Sequence, residues 1–195
     1  MIRVQVTERM IFDATEFLND LVDPSFADRH DYKEEHKLIG AIGEIALIDY
    51  CWNNDLLAFK NEGRSSDVRL FSGQTIEVKT QKVSSEPKVH YVVNVASRQK
   101  VTEFSDFMFF TRLQFVAGKA DALWLLGACS RDKFWRLSKP NLAGDPMMDD
   151  DGQGNQTFSG RYYTTDAHTL SIAQLAPPSA ALKHFKSLQE KEEAQ

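Results

Sequence analysis

The chain of 195 residues contains little cysteine, which argues against the small proteins that disulfides or zinc sites stabilise. Its two cysteines, Cys51 and Cys129, are far apart in the sequence and lie among apolar residues. A disulfide framework or a zinc site needs more ligands at closer spacing. We therefore expect two buried free thiols, which is typical of proteins in a reducing cytosol.

Long apolar runs are also missing from the sequence. The longest run, from Ala122 to Ala128, is too short to cross a bilayer. The first residues contain no continuous apolar segment of the signal-peptide type. We therefore expect a cytoplasmic protein that makes no membrane contact.

Charge is distributed unevenly along the chain. The net charge of -5 argues against a nucleic-acid partner, because phosphate contacts need lysine and arginine. Residues 79–139, however, contain 11 basic and 5 acidic residues, whereas the rest of the chain contains 12 basic and 23 acidic ones. This asymmetry would let one face approach a polyanion, although a mixed solvated surface would fit the composition equally well.

Apolar periodicity predicts a single α+β domain over residues 1–189, with a frayed charged tail at 190–195. The predicted helices are a short one near residues 13–21, capped by Asp13, a long one over 31–54, and a C-terminal one after Pro178. Strands are predicted at 3–8, 91–96, 106–116 and 122–129. We expect a turn at 131–133 and a loop over 140–160.

A β-hairpin is predicted around Ser72 and Gly73. If cross-strand partners sum to 144 or 145, Asp67 lies opposite Glu77. Because strand side chains alternate, Lys79 shares a face with Glu77. The apolar neighbours Val68, Ile76 and Val78 then point to the core. The sequence therefore predicts two carboxylates and one ammonium group on one face of the hairpin.

Carboxylates that lie directly opposite each other repel, and a divalent cation between them would remove that penalty. Oxygen ligands suit Mg²⁺ or Mn²⁺. Such a metal activates water and stabilises charge on phosphate, and Lys79 could position the water or neutralise the developing charge. Glu44, on the long helix beside Gly40 and Gly43, could add a third carboxylate, since small residues permit close packing against the hairpin.

The order Gly43-Glu44, then Asp67, then Glu77-Val78-Lys79 resembles the core of the PD-(D/E)xK, restriction-endonuclease-like nucleases. The resemblance covers Leu38 to Gln81 with specific residues and the later strands to about residue 139 in outline, so it implies a nuclease-like core at about 31–139. It departs from the family name at Ser66, where the name has proline.

The resemblance implies an αβββαβ core, with a central mixed sheet flanked by helices, that hydrolyses phosphodiesters with Mg²⁺, for which Mn²⁺ could substitute. The residues that it assigns to catalysis are Asp67, Glu77, Lys79, Glu44 and Gln81. Those that it assigns to the metal are Asp67, Glu77, the Val78 carbonyl and Glu44. The alternatives are a solvated strand face with a surface salt bridge, an exposed helical Glu44 and an ordinary polar Gln81.

Four basic residues are candidates for nucleic-acid binding: Lys82, Arg98, Lys100 and Arg112. The phenylalanines from Phe104 to Phe115 are expected in the sheet core, although an exposed ring could stack on a base.

The sequence therefore predicts a Mg²⁺-dependent deoxyribonuclease, an endonuclease by preference, with DNA as partner and RNA as an alternative. A homodimer or a guiding protein partner is possible. By analogy, compact chains of this kind are common in phage and mobile-element genomes. Two other classes of protein compete with this prediction: an inactive nuclease-fold subunit for DNA binding or assembly, and an unrelated interaction domain.

Overall fold

A computed structural model of the chain describes residues 1–20, 34–61, 66–150, 152–153 and 155–194. The helices are Glu8–Asp20 (α1), Glu34–Trp52 (α2), Gln99–Thr102 (α3), Arg131–Leu137 (α4) and Pro178–Glu193 (α5). The strands are Ile2–Gln5 (β1), Ala58–Lys60 (β2), Val68–Leu70 (β3), Thr75–Val83 (β4), Val92–Ala96 (β5), Phe107–Val116 (β6), Lys119–Ser130 (β7), Lys139–Asn141 (β8), Pro146–Asp150 (β9), Gln156–Tyr162 (β10) and Ala167–Ser171 (β11).

The central element is a six-stranded mixed sheet with the order β1-β7-β6-β4-β3-β2. Strands β4 and β6 run parallel, and the other neighbouring strands run antiparallel. A three-stranded sheet, β5-β11-β8, and the β9-β10 pair complete the described strands. The predicted α+β class, with a mixed sheet flanked by helices, is confirmed.

Apolar side chains cover both faces of the central sheet, because its strands alternate their residues between two cores. On one face, Ile76, Val78 and Phe109 pack with buried residues of α1, α2 and α5. On the other face, Met108 and Phe110 pack with β5, β11 and α4. Both cysteines are buried free thiols, as expected.

The predicted short helix begins earlier than expected, at Glu8. The hydroxyl group of Thr7 accepts a hydrogen bond from Met10 N (3.2 Å), so Thr7 caps the helix. The prediction of Asp13 as the cap is wrong, because Asp13 lies inside α1 and pairs with Arg9 at 3.4 Å. The predicted end of this helix at 21 and the start of the long helix at 31 lie outside the described residues.

Three predictions for the C-terminal half are wrong. Residues 131–133 begin helix α4, because the hydroxyl group of Ser130 accepts a hydrogen bond from Lys133 N. The predicted loop over 140–160 contains β8, β9 and β10. Pro140 lies on β8, the edge strand of its sheet, where a missing donor costs nothing. Helix α5 continues to Glu193, whose carboxylate accepts a hydrogen bond from Gln189, so the tail is helical there.

Helix α2 lies very close to β4 at Gly43. A Cβ atom added at Gly43 would lie 1.9 Å from Thr80 Oγ1, which itself accepts a hydrogen bond from Thr111 Oγ1. Gly40, one turn earlier, has no neighbour within 4 Å of such an atom. The predicted close approach of this helix to the hairpin therefore depends on Gly43 and not on Gly40. No described helix is both long and apolar enough to cross a membrane.

The two glycines give a matched pair of variants for testing this packing. We expect Gly43→Ala to lower the free energy of unfolding by about 1–3 kcal/mol through overpacking against Thr80. We expect Gly40→Ala to raise it by up to about 1 kcal/mol, because alanine is the better helix former. Urea denaturation of the two variants beside the wild type measures both changes. Equal effects of the two substitutions would contradict the close contact at Gly43.

Candidate active site

The hairpin between β3 and β4 has the predicted register. Val68 pairs with Ile76 and Arg69 with Thr75, so partners sum to 144. Gly73 occupies the turn with φ of +87°, a conformation that favours glycine. Asp67 lies one residue before β3, outside the paired residues, but it is close enough to Glu77 for its charge to raise the pKa of that carboxyl group.

The backbone pairing of the hairpin ends at Asp67. Asp67 N donates to Ile76 O (3.1 Å), whereas Val78 N donates to the Asp67 side chain (Oδ2, 2.7 Å). If β3 were longer, a backbone carbonyl of that strand would accept the hydrogen bond from Val78 N. The Asp67 carboxylate accepts it instead. This contact fixes the Asp67 side chain at the margin of the sheet, beside Glu77.

Lys79 lies on the same face of β4 as Glu77, and its ammonium group contacts two carboxylates. It forms a short ion pair with Glu77, and Glu103 Oε2 lies 3.4 Å from its Nζ atom. All three side chains are largely buried: Glu77 is 15% exposed, Lys79 17% and Glu103 6%. Ser105 Oγ donates to Glu103 Oε1 (3.1 Å) and so orients the second carboxylate.

Glu44 reaches the same cluster from α2. Burial and the charge of Glu77 raise the pKa of Glu44 to about 7, while Lys60 and Lys79 oppose that shift. The charge of Glu44 in turn raises the pKa of Asp67. The predicted third carboxylate is therefore within electrostatic range of the hairpin pair.

The carboxyl groups of the hairpin hold their protons unusually tightly. Burial and the charge of Glu44 raise the pKa of Asp67 to about 7. Burial and the charge of Asp67 raise the pKa of Glu77 to about 7. Burial lowers the pKa of Lys79, but the carboxylates of Glu77 and Glu103 outweigh it, so the pKa is raised. Lys79 therefore carries its charge at neutral pH.

The donor set of the cluster is of the kind that a hard divalent cation prefers, namely buried carboxylates in excess over the ammonium group. Oε2 of Glu103 is buried and accepts no hydrogen bond within the described part of the chain. Two of these carboxylates nevertheless interact with groups of the protein. Asp67 accepts a hydrogen bond from Val78 N, and Glu77 forms an ion pair with Lys79. Within the described ranges, no group of three His, Cys, Asp or Glu side chains has the arrangement of a metal site.

Two further predicted residues lie on β4 beyond Lys79. Gln81 is half-buried and shares the face of Glu77 and Lys79, by strand alternation. Lys82 points to the opposite face, where it pairs with Glu35 of α2 and lies 4.4 Å from the centre of the Phe115 ring. The structure therefore places Lys82 away from the carboxylates.

The three remaining basic candidates lie in two unlike environments. Arg98 and Lys100 are exposed at the start of α3, close in sequence to Glu103. Arg112 is only 6% exposed, and it donates to Val92 O (2.7 Å), so it joins the central sheet to β5. This burial differs from the surface position that we expected for a residue that contacts nucleic acid.

Glu103 is the member of the site that the sequence did not predict. It lies 24 residues after Lys79, directly beyond α3, and joins the cluster through the fold alone. A carboxylate next to an apolar ring in a short segment carries no spacing signal. Only the chain path between the parallel strands β4 and β6 brings it to Lys79.

Comparisons with protein-family models, with curated proteins and with solved structures found no match for this chain.

The raised carboxyl pKa values predict that the metal-free protein becomes less stable with rising pH. The folded state holds protons up to about pH 7, whereas the unfolded chain releases them near pH 4. Between these values the folded state binds more protons, so the free energy of unfolding falls as pH rises. Thermal unfolding in EDTA from about pH 5 to pH 8 measures this slope.

Two variants and the addition of Mg²⁺ test whether the slope of stability against pH comes from the carboxylate cluster. Asp67→Asn should flatten the slope, whereas Asp132→Asn should not, because the Asp132 side chain is 97% exposed. Mg²⁺ should raise the melting temperature most at the alkaline end, where the carboxylates are charged. A slope of opposite sign would show that the cluster does not hold these protons.

A double-mutant cycle tests the buried pair of Lys79 and Glu103. We expect Lys79→Met to destabilise the protein by about 3–5 kcal/mol, because it leaves buried carboxylates unpaired. Glu103→Gln should recover part of that loss, with a coupling energy of about 1–3 kcal/mol. The exposed pair of Lys82 and Glu35 is the matched control and should couple by less than about 1 kcal/mol. Equal coupling in both cycles would contradict the buried ion pair.

Proposed function

We propose that this chain is a metal-dependent nuclease that hydrolyses DNA phosphodiester bonds as an endonuclease. The observation that carries the proposal is the buried cluster of Asp67, Glu77 and Glu44 around Lys79, described above. Clustered carboxyl groups with raised pKa values are costly to a fold and are common at functional sites. A divalent cation and a phosphate are the partners that this combination of charges suits.

Mg²⁺ is the proposed metal, with Mn²⁺ able to substitute. Asp67, Glu77 and the Val78 carbonyl would hold it, and Glu44 would support the shell. The metal would lower the pKa of a bound water and stabilise charge on a phosphate oxygen. In the proposed hydrolysis a water oxygen would form the new bond to phosphorus while the P–O bond to one sugar breaks, the water would lose a proton to solvent, and the leaving oxygen would take a proton from solvent.

Lys79 is the proposed electrostatic catalyst. Its ammonium group is charged and faces the site, where it can neutralise negative charge that develops on the phosphate. A metal held by Glu77 would compete with Lys79 for that carboxylate, which Lys79 contacts in the structure. Glu103 would then remain as the partner that keeps Lys79 in place. Glu103 is therefore a positioning residue in this proposal.

The order of elements supports the proposed αβββαβ core. The succession α2, β2, β3, β4, α3 and β6 follows that order, with β5 inserted before α3. In place of a full crossover helix, α3 has four residues. The hairpin carboxylates and Lys79 lie where the backbone pairing between β3 and β4 ends.

A catalytically inactive DNA-binding or assembly subunit is the second candidate. One observation favours it: Asp67 and Glu77 are engaged with Val78 N and Lys79, and the described side chains form no ready metal site. An inactive protein would keep these contacts when Mg²⁺ is added. The two candidates therefore differ in their response to metal.

Cleavage of supercoiled plasmid tests the proposal in Mg²⁺, in Mn²⁺ and in EDTA. We expect cutting that needs the metal and falls at least about 100-fold in Glu77→Gln and in Lys79→Met. Lys119→Met is the control, because Lys119 is exposed at the start of β7, next to the turn after β6, and belongs to neither the cluster nor the basic candidates, so it should change cutting little.

Labelled single-stranded DNA and RNA in the same assay identify the preferred substrate. If no metal supports cutting but DNA still binds, the inactive subunit becomes the better account. If both site variants cut as fast as the wild type, the observed activity does not belong to this site.

A further inference from the structure

The segment between α3 and β6 exposes two apolar side chains beside the candidate active site. Val101 is 74% exposed and Phe104 is 70% exposed, the highest fractions among the large apolar side chains described. Glu103 and Ser105, the neighbours of Phe104, are both buried. The chain therefore presents the ring to solvent one residue away from the carboxylate that contacts Lys79.

This exposed segment is attached to the fold at both ends. Before α3, Ser97 N donates to Asp166 O (2.9 Å), and at the end of the helix Glu103 N donates to Gln99 O (3.1 Å). After the ring, Asp106 N donates to Thr75 O (3.1 Å). Phe104 is thus held outward on a fixed support, so a ligand that covers it pays little ordering cost.

Arg131 connects the ring to the basic surface of α4. Its guanidinium group lies 5.9 Å from the centre of the Phe104 ring and donates to Lys100 O (2.7 Å). Arg98 and Lys100 add exposed positive side chains on the same segment. An apolar ring surrounded by cations suits a flat ligand that carries negative charge on a flexible backbone.

We propose that Phe104, with Val101 beside it, is a stacking platform for an unpaired nucleobase of single-stranded or frayed DNA whose backbone enters the candidate active site. This inference rests on the proposed function, which it deepens by naming an unpaired strand as the substrate class. A base in a duplex is already stacked on both sides and cannot cover the ring. The platform therefore distinguishes unpaired from paired DNA.

The area of the surface argues against a stable protein interface here. Two side chains and their basic neighbours are far less than the roughly 800 Å² per partner that a specific complex buries. One base, in contrast, covers a single phenyl ring, and each such stack adds about tenfold in affinity.

Binding of labelled oligothymidine and of a blunt duplex, measured by fluorescence anisotropy in EDTA, tests the proposal without cleavage. We expect Phe104→Ala to bind the single strand about tenfold more weakly, with less than about twofold change for the duplex. Phe104→Trp should keep or strengthen single-strand binding, whereas Phe104→Leu should not, because leucine offers no flat face. Phe12→Ala is the matched control, since Phe12 is 62% exposed on the distant helix α1.

Several outcomes would overturn the platform. These are wild-type protein that binds neither DNA, unchanged single-strand binding in Phe104→Ala, and an equal loss in Phe12→Ala. If Phe104→Ala instead turns a dimer into a monomer in sedimentation while DNA binding persists, the surface is an interface between copies.

The platform and the nuclease proposal can fail separately. Tenfold weaker single-strand binding in Phe104→Ala without metal-dependent cutting would support the platform and overturn the hydrolysis. Metal-dependent cutting with no effect of Phe104→Ala on single-strand binding would support the hydrolysis and overturn the platform.

Discussion

The ammonium group of Lys79 lies between the carboxylates of Glu77 and Glu103 in a largely buried setting. Carboxylates at this density repel one another, and burial makes their charged forms costly. The cluster persists because Lys79 offsets part of the charge and Val78 N holds Asp67. The carboxyl groups still outnumber the ammonium group, and the proposed divalent cation depends on this imbalance.

The parts of the site that follow from local periodicity could be predicted from the sequence. Strand alternation and one glycine turn were sufficient to predict the register that pairs Val68 with Ile76 and brings Asp67 close to Glu77. The glycine beside Glu44 indicated a close helix, and Gly43 packs against Thr80 of β4. Such signals are local, because each depends on spacing within a single element or a single turn.

The parts that depend on distant chain segments could not be predicted. Glu103 meets Lys79 only because the chain crosses the sheet between two parallel strands. Arg112 looked like a surface cation, but the β5 sheet covers it. The phenylalanine-rich segment looked uniform in the sequence, yet Phe109 is buried whereas Phe104 is exposed. Burial of such residues depends on which segment packs over them, and periodicity does not encode that.

A crystal structure with Mn²⁺, using anomalous scattering to locate the ion, tests most directly whether these carboxylates hold a metal. We expect an anomalous peak between the carboxylates of Asp67 and Glu77, near the Val78 carbonyl, with Lys79 retained on Glu103. No peak there, with Asp67 still on Val78 N and Glu77 still on Lys79, would contradict a metal-dependent site.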